Sequence, residues 1–440
     1  MKCSSIGCGG NGTGNRKTVL PSVPDAGSKI MPYVHRDQQI LTLTQLSNPQ
    51  VVRELLWCLR EAVDQKAFTS LVLDLQGCTT VFPHVCTPIA GILDFYQYEK
   101  KIEIEFRNVP RSLEKAHLLN PVVLGTVDMS RVSSLDTVWK FASSLEIYDL
   151  VTAFVRDVSG KIVCEPGLLQ GLEWCMNEVM DNVIQHASPT IGMQHGYVMA
   201  QVHEQNHRVA LCVYDYGQGI FNSLKNHALA PKSCVDAITM AIREGVTRDK
   251  KIGQGNGLWG LQKIIQINDG LLTILSGKGC FSFDGKDFLQ NSDQAYIDQD
   301  HQSTTVDFQL NCNKTVSIAE VLNGYCPVNH RVEQMEDDQT QTIPYRLKDQ
   351  ATGTGTRQSG ERIRNEILNL TRESSYRIVI DFGGISVVSS SFADELIGKL
   401  VVELGFTEFT QRIQLTGMND FIAPVMNRSV TQRIAESFNP

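Results

Sequence analysis

Glu178 and Asn182 stand four residues apart between Leu168 and Ala187, with Asp181 beside them, so a carboxylate and a carboxamide leave one helical face on adjacent turns. Such a pair could bind Mg2+ through the Asn182 amide oxygen and orient or deprotonate a nucleophile through Glu178. A solvated polar face would account for the same residues if the helix stood alone. It is followed by two glycine loops. In Asp215-Tyr216-Gly217-Gln218-Gly219-Ile220 an acid ends a strand and bare backbone follows. The carboxylate can accept a hydrogen bond from an exocyclic amine while Gly217 and Gly219 let the main chain approach a flat heterocycle, and adenine fits both demands. In Gly253-Gln254-Gly255-Asn256-Gly257-Leu258 the glycines open directly into the apolar helix Trp259 to Ile267. Main-chain N–H groups and the helix dipole would there face an anion, most naturally phosphate. Arg248, Lys250 and Lys251 precede this loop in a polar stretch that could fold over a bound nucleotide or remain a solvated charge run.

These side chains need elements to hold them. Leu172, Met176, Val179 and Val183 recur at helical spacing, which predicts one amphipathic helix over Leu168 to Ala187 with its apolar side to the core. A hairpin of Tyr197 to His203 and Val209 to Tyr214 carries the chain to Asp215. Upstream, strands at Ile40 to Leu43, Ser70 to Leu75 and Ile102 to Phe106 alternate with helices at Val51 to Asp64 and Pro88 to Tyr98, the pattern of a small α/β domain over residues 35–125. Residues 1–34, rich in Gly, Ser, Asn and Pro, are expected to be a disordered leader. Residues 126–167 are expected to be a connecting segment, and the polar run 331–343 a linker. The catalytic-type residues then fall in a unit over 168–330, and a last domain covers 344–440.

The two ends carry a weak repeat. Leu71-Val72-Leu73-Asp74, Gly77, Val81, Ile89 and Leu93 align with Ile378-Val379-Ile380-Asp381, Gly384, Val388, Leu396 and Leu400 at a constant offset, 381 − 74 = 307. In each copy a buried strand ends in Asp, a short Gly-containing loop follows, and an apolar helix packs back.

The order of the central parts resembles the GHKL superfamily of DNA gyrase, heat-shock chaperones, histidine kinases and mismatch-repair ATPases. Asn177-Glu178-Val179-Met180-Asp181-Asn182 with His186-Ala187 resembles its N box, Asp215 to Gly219 its G1 box, and Gly253 to Leu261 its G2 box. Ser303-Thr304-Thr305-Val306-Asp307-Phe308 resembles its closing threonine strand. The resemblance spans Leu168 to Leu310 and implies a Bergerat-fold α/β sandwich, with an antiparallel-rich sheet, helices on one face and a mobile ATP lid between the second and third boxes. By position it makes Asn182 the Mg2+ ligand, Asp215 the adenine reader, Thr304 its helper and Glu178 the general base. ATP and Mg2+ are the implied cofactors, with Asp181, Gly217, Gly219, Arg248, Lys251, Gly253, Gly255, Gly257 and Leu258 lining the nucleotide. A histidine kinase would also place a phospho-accepting His next to an acid on a helix ahead of the module. Glu114-Lys115-Ala116-His117-Leu118-Leu119 lacks that acid. No gyrase-like transducer segment is evident after Leu310.

Arg377 to Gly384 together with Ser389-Ser390-Ser391-Phe392-Ala393-Asp394-Glu395-Leu396 resembles the STAS fold of anti-sigma-factor antagonists, and more closely a STAS-like family of unknown function. Those antagonists carry a regulatory phosphoserine in an Asp-Ser pair at this junction. Here Ser390 falls at the serine and Ser389 replaces the Asp. A phosphate on Ser390 would sit at a helix N-terminus, which the dipole favours, although serines there also serve as simple caps. The N-terminal copy, a candidate STAS-like domain, has Phe82-Pro83 at that position.

With 40 Lys and Arg against 48 Asp and Glu, the formal charge of −8 gives no net pull toward nucleic acid or anionic lipid. No run approaches the ~18 apolar residues of a membrane span, so a cytoplasmic protein is expected. The 12 cysteines are scattered and read as reduced core thiols. Three functions follow: an ATP-dependent switch of STAS-like domain interactions; an anti-sigma-type serine protein kinase acting on Ser390 or on a partner's STAS serine; and an adaptor that senses ATP without turnover. Protein partners through the STAS-like domains, and a homodimer, are expected.

Overall fold

The computed structural model describes residues 33–438 apart from 130–131, 187–194, 227–229, 244–256, 292–301, 322–331, 333–334 and 352. The N-terminal domain has a four-stranded sheet in the order β1 (Val34–Asp37), β2 (Ile40–Leu43), β3 (Ser70–Asp74), β4 (Glu103–Arg107). β1 and β2 form an antiparallel hairpin, and β2, β3 and β4 run parallel. Helix α1 (Gln50–Arg60) runs into a π-helical turn, Glu61–Gln65, and buries Val51, Val52, Leu55, Leu56 and Leu59 at helical spacing. Helix α2 (Pro83–Tyr98) begins five residues before its expected start at Pro88. Pro83 supplies a preset φ at the first turn, after an extended Phe82, and a second proline, Pro88, is carried inside the helix.

The central sheet has eight strands: β5 (Val122–Val123), β6 (Trp139–Phe141), β7 (Gly196–His203), β8 (Arg208–Asp215), β9 (Leu271–Ser276), β10 (Gly279–Phe283), β11 (Phe288–Asn291) and β12 (Thr304–Asn311). Their spatial order is β11-β10-β9-β12-β8-β7-β6-β5, and every neighbouring pair is antiparallel except β5 with β6. One face is covered by helices. After the short α3 (Arg111–Lys115), α4 (Ser144–Lys161), α5 (Leu168–His186) and α8 (Gly257–Ile267) share one core with Val198, Val209, Leu211, Val213, Ile274 and Phe308; α6 (Gly219–Leu224) and α7 (Cys234–Ala241) lie between α5 and α8 in the chain.

Residues 126–167, expected as a connecting segment, carry β6 and α4 and so belong to this unit. α4 buries Ile147, Leu150, Val151, Phe154, Val155 and Val158, and β6 pairs with β7. The local signal is a capping box: Ser143 Oγ accepts from the Glu146 N–H at 3.3 Å, and Glu146 accepts from the Ala142 N–H at 2.7 Å.

The opposite face of β7 and β8 is covered by α2. Tyr197, Met199 and Tyr214 join the N-terminal core. Because both faces are covered, β7 and β8 are almost continuously buried rather than alternating. A Cβ at Gly91 would sit 2.5 Å from the Tyr214 ring, so only glycine allows this approach. Asp94 fixes the contact by accepting from Lys140 Nζ at 2.8 Å and from the Tyr197 hydroxyl at 2.5 Å.

In the C-terminal domain β13 (Thr342–Arg346), β14 (Arg377–Asp381) and β15 (Ile413–Thr416) form an all-parallel sheet, with β13 beginning just ahead of the expected boundary at 344. Helix Arg357–Glu373 packs on α4. There buried Asn369 accepts from the Cys164 N–H at 2.8 Å and donates to the carbonyls of Ser159 at 2.9 Å and Ile162 at 3.1 Å. The repeat extends to three element starts, since 357 − 50, 377 − 70 and 390 − 83 all equal 307. The second helix of each copy is covered differently. In the C-terminal copy the helical run from Ser390 to Leu404 lies under helix Ile422–Phe438, whose Arg433 grips Asp394 at 2.6 and 2.7 Å. Gly398, equivalent to Gly91 because 398 − 91 = 307, meets Arg433 and Ser429 of that helix.

All nine cysteines among the described residues are free, and seven of them are buried. No helix among the described residues is long and apolar enough to cross a membrane.

Candidate functional site

α5 packs through Leu172, Met176, Val179 and Val183, which leaves Glu178, Asp181 and Asn182 half-buried on its remaining side. The Glu178 carboxylate lies against Gly257, the first residue of α8, and a Cβ on that glycine would collide with Oε2. The residue that opens α8 is therefore part of the same site as the α5 acid. Burial raises the pKa of Glu178, and the nearby Asp181 raises it further. Asp181 is raised by burial as well. A carboxylate held above its ordinary range is a stronger base toward a nucleophile's proton at neutral pH.

Asp215 ends β8. Its backbone is held on both sides, opposite Gly196 of β7 and Thr304 of β12. The carboxylate accepts from the Gly217 N–H at 2.8 Å and from the Thr304 hydroxyl. Desolvation outweighs both bonds and pushes its pKa up to about 7. A desolvated, half-buried acid with two neutral donors and acceptor capacity to spare is suited to an amine. Gly219 has φ +70° and sits against the Gln302 carbonyl, so a side chain there would be both strained and blocked. The chain then turns directly into α6.

Ser276 joins the site without any expectation from the sequence. It ends β9 opposite Thr304, its Oγ lies 3.2 Å from Thr304 Oγ1, and it accepts from the Ile220 N–H at 2.9 Å. It thereby ties the glycine turn to the strand that supports Asp215. The only advance signal is a serine closing the mostly apolar strand Leu271–Ser276.

Of the remaining candidates, Gly257 and Leu258 begin α8, and Leu258 is partly buried against the core. Arg248, Lys251, Gly253 and Gly255 lie in 244–256, outside the described residues. Ser390 is exposed on the first turn of its helix. Ser389 is the cap and accepts from the Phe392 N–H at 3.0 Å. At the same repeat position Pro83 is buried.

Residues 141–265 match the family model of a histidine kinase-like ATPase domain, and residues 359–422 match that of a STAS-like domain of unknown function. The first match begins within β6 and includes α4, in keeping with the place of both in the central unit. No curated protein matches the chain. The chain carries a histidine kinase-like ATPase domain joined to a C-terminal STAS-like domain.

Proposed function

We propose that the central unit binds Mg-ATP, turns it over slowly, and by its nucleotide state changes how the STAS-like domains engage a protein partner. The observation that carries this reading is the desolvated Asp215 carboxylate, backed by Thr304 at a strand end that runs into two glycines. Asp215 would accept from the exocyclic amine of adenine. Asn182 would hold Mg2+ through its amide oxygen. No cluster of three His, Cys, Asp or Glu that could hold a metal occurs among the described residues, so phosphate and water would supply most of its ligands. Glu178 would take the proton of the attacking water, aided by the position of its carboxylate at the start of α8. The start of α8, with the Gly253 to Gly257 loop before it, would face the phosphates, as would Arg248 and Lys251.

The constant offset of three helix and strand starts supports reading the N-terminal domain as a second STAS-like copy. A serine protein kinase is the second reading, favoured by the exposure of Ser390 while Ser389 does the capping. Incubation with γ-labelled ATP and Mg2+ separates the readings. Free phosphate without labelled protein is the outcome expected for the switch. Label that disappears in Ser390→Ala marks a kinase acting in cis, and binding with neither product marks an adaptor.

A further inference from the structure

Asp215, Thr304, Ser276 and Ile220 belong to four elements, β8, β12, β9 and α6, and their polar atoms form one chain. Sheet register brings them together, since Thr304 pairs with Asp215 on one side and with Ser276 on the other. The Ile220 N–H donates to Ser276 Oγ at 2.9 Å, Ser276 Oγ lies 3.2 Å from Thr304 Oγ1, and the Thr304 hydroxyl donates to the Asp215 carboxylate. Ser276 is only 2% exposed, so its proton must go to a protein partner. Counting protons fixes the direction of the middle bond. A hydroxyl has one proton to give, and Thr304 gives its own to Asp215, so at the 3.2 Å contact Ser276 donates and Thr304 accepts. With Asp215 ionised, every donor from Ile220 to Thr304 has an acceptor. With Asp215 protonated, the chain either ends on a weaker neutral acceptor or reverses, and reversal leaves the Ser276 proton without one. The chain therefore favours the carboxylate over the acid.

We propose that Ser276 is a positioning residue for the adenine reader: by donating to Thr304 it fixes the Thr304 hydroxyl as a donor toward Asp215, and so holds Asp215 as the ionised, stronger acceptor for an exocyclic amine. The inference rests on the ATP reading above. Among the described residues no charged group shares this task. Desolvation of Asp215 is opposed only by the Gly217 and Thr304 bonds, and on α5 Glu178 feels Asp181 rather than Asp215. On the neighbouring strands Asp307 lies on the opposite face by alternation, and His203 and Arg208 close the far end of the β7–β8 hairpin. α6 and β9 carry no titratable side chain.

The test uses the full chain and calorimetric Mg-ATP binding from about pH 6 to 9, with each variant compared to wild type at the same pH so that the titration of ATP itself cancels. Ser276→Ala is expected to raise the midpoint of the pH dependence from about 7 by about half to one unit. Binding then weakens about 2- to 5-fold at pH 7 and returns to within about twofold of wild type at pH 9. Ser276→Thr keeps a hydroxyl and the wild-type midpoint. Ser276→Cys, close in shape but a weak donor, shifts the midpoint the same way as alanine and carries the test if the alanine variant does not fold. Thr304→Val breaks the chain one step nearer Asp215, and in that background Ser276→Ala adds no further shift. A wild-type affinity that does not vary with pH, an unchanged midpoint in the folded alanine or cysteine variant, or a loss of the same factor at every pH overturns the inference and leaves the ATP reading intact. Failure of the wild type to bind ATP overturns that reading and this one with it.

Discussion

The carboxylate of Glu178 occupies the space that a side chain on Gly257 would need. The obstacle is the tip of a flexible acid, so it can yield. Gly257→Ala should leave thermal stability within about 1 kcal/mol of wild type. The same substitution should slow ATP turnover about 10- to 100-fold by displacing the base. Glu178→Gln should slow it further, about 100- to 10,000-fold, with ATP affinity retained. Phosphate-release assays beside calorimetric binding check both, and unchanged turnover in Glu178→Gln would remove Glu178 from the mechanism.

Asp215 should make ATP binding depend on pH near neutrality. Desolvation pushes its carboxyl up to about 7, and the ionised form is the stronger acceptor toward an amine, so affinity should fall as pH drops through 7. Stability should move the other way. A carboxyl whose folded pKa lies above its unfolded one destabilises the fold at high pH, and the penalty is relieved as pH falls from about 7 toward 4. Asp307, desolvated on β12 and also pushed to about 7, contributes with the same sign. Binding isotherms and apo thermal midpoints from pH 8 to 6 should therefore diverge. Asp215→Asn should lower affinity and flatten its pH dependence.

Asn369 reaches from the C-terminal domain to the end of α4 and satisfies one N–H and two carbonyls there. Asn369→Leu leaves those groups buried without partners, a cost of about 2–3 kcal/mol. The expected result is a lower urea midpoint and earlier proteolysis between the domains, with the ATP site unaffected. Wild-type values on both would show that the domains are held by other contacts.

Ser389 and Ser390 should separate cleanly. Ser389→Ala removes a helix cap and should cost about 1 kcal/mol. Ser390→Ala, at an exposed position, should cost almost nothing in chemical denaturation while abolishing any labelling of the chain by γ-labelled ATP.

The residues that sequence reading located are those whose meaning is local. Glu178 and Asn182 share a face because helices repeat every 3.6 residues, and Asp215 with its glycines is a strand-to-turn signature confined to a few positions. Ser276 was not legible, since a serine at a strand end gains a role only when the sheet register sets it opposite Thr304. The partner of α2 was equally hidden, although its composition held a clue. Residues Val85 to Tyr96 are buried almost without interruption, and a helix apolar all round must be covered all round. For α4 the Ser143-Glu146 capping box lay in the segment expected to be a connection. The remainder of the site, including Arg248 and Lys251, falls outside the described residues.

The different covers over Gly91 and Gly398 make the two copies unequal in autonomy. The C-terminal copy closes over its second helix with Ile422–Phe438, an element of its own. The N-terminal copy borrows the ATPase sheet, and that sheet in turn depends on α2 to shield Tyr197, Met199 and Tyr214. Parting the N-terminal domain from the central sheet would leave two complementary apolar surfaces open to water, whereas parting the C-terminal copy would open only its seam along α4. The N-terminal domain and the ATPase therefore form one folding unit that happens to contain two domains.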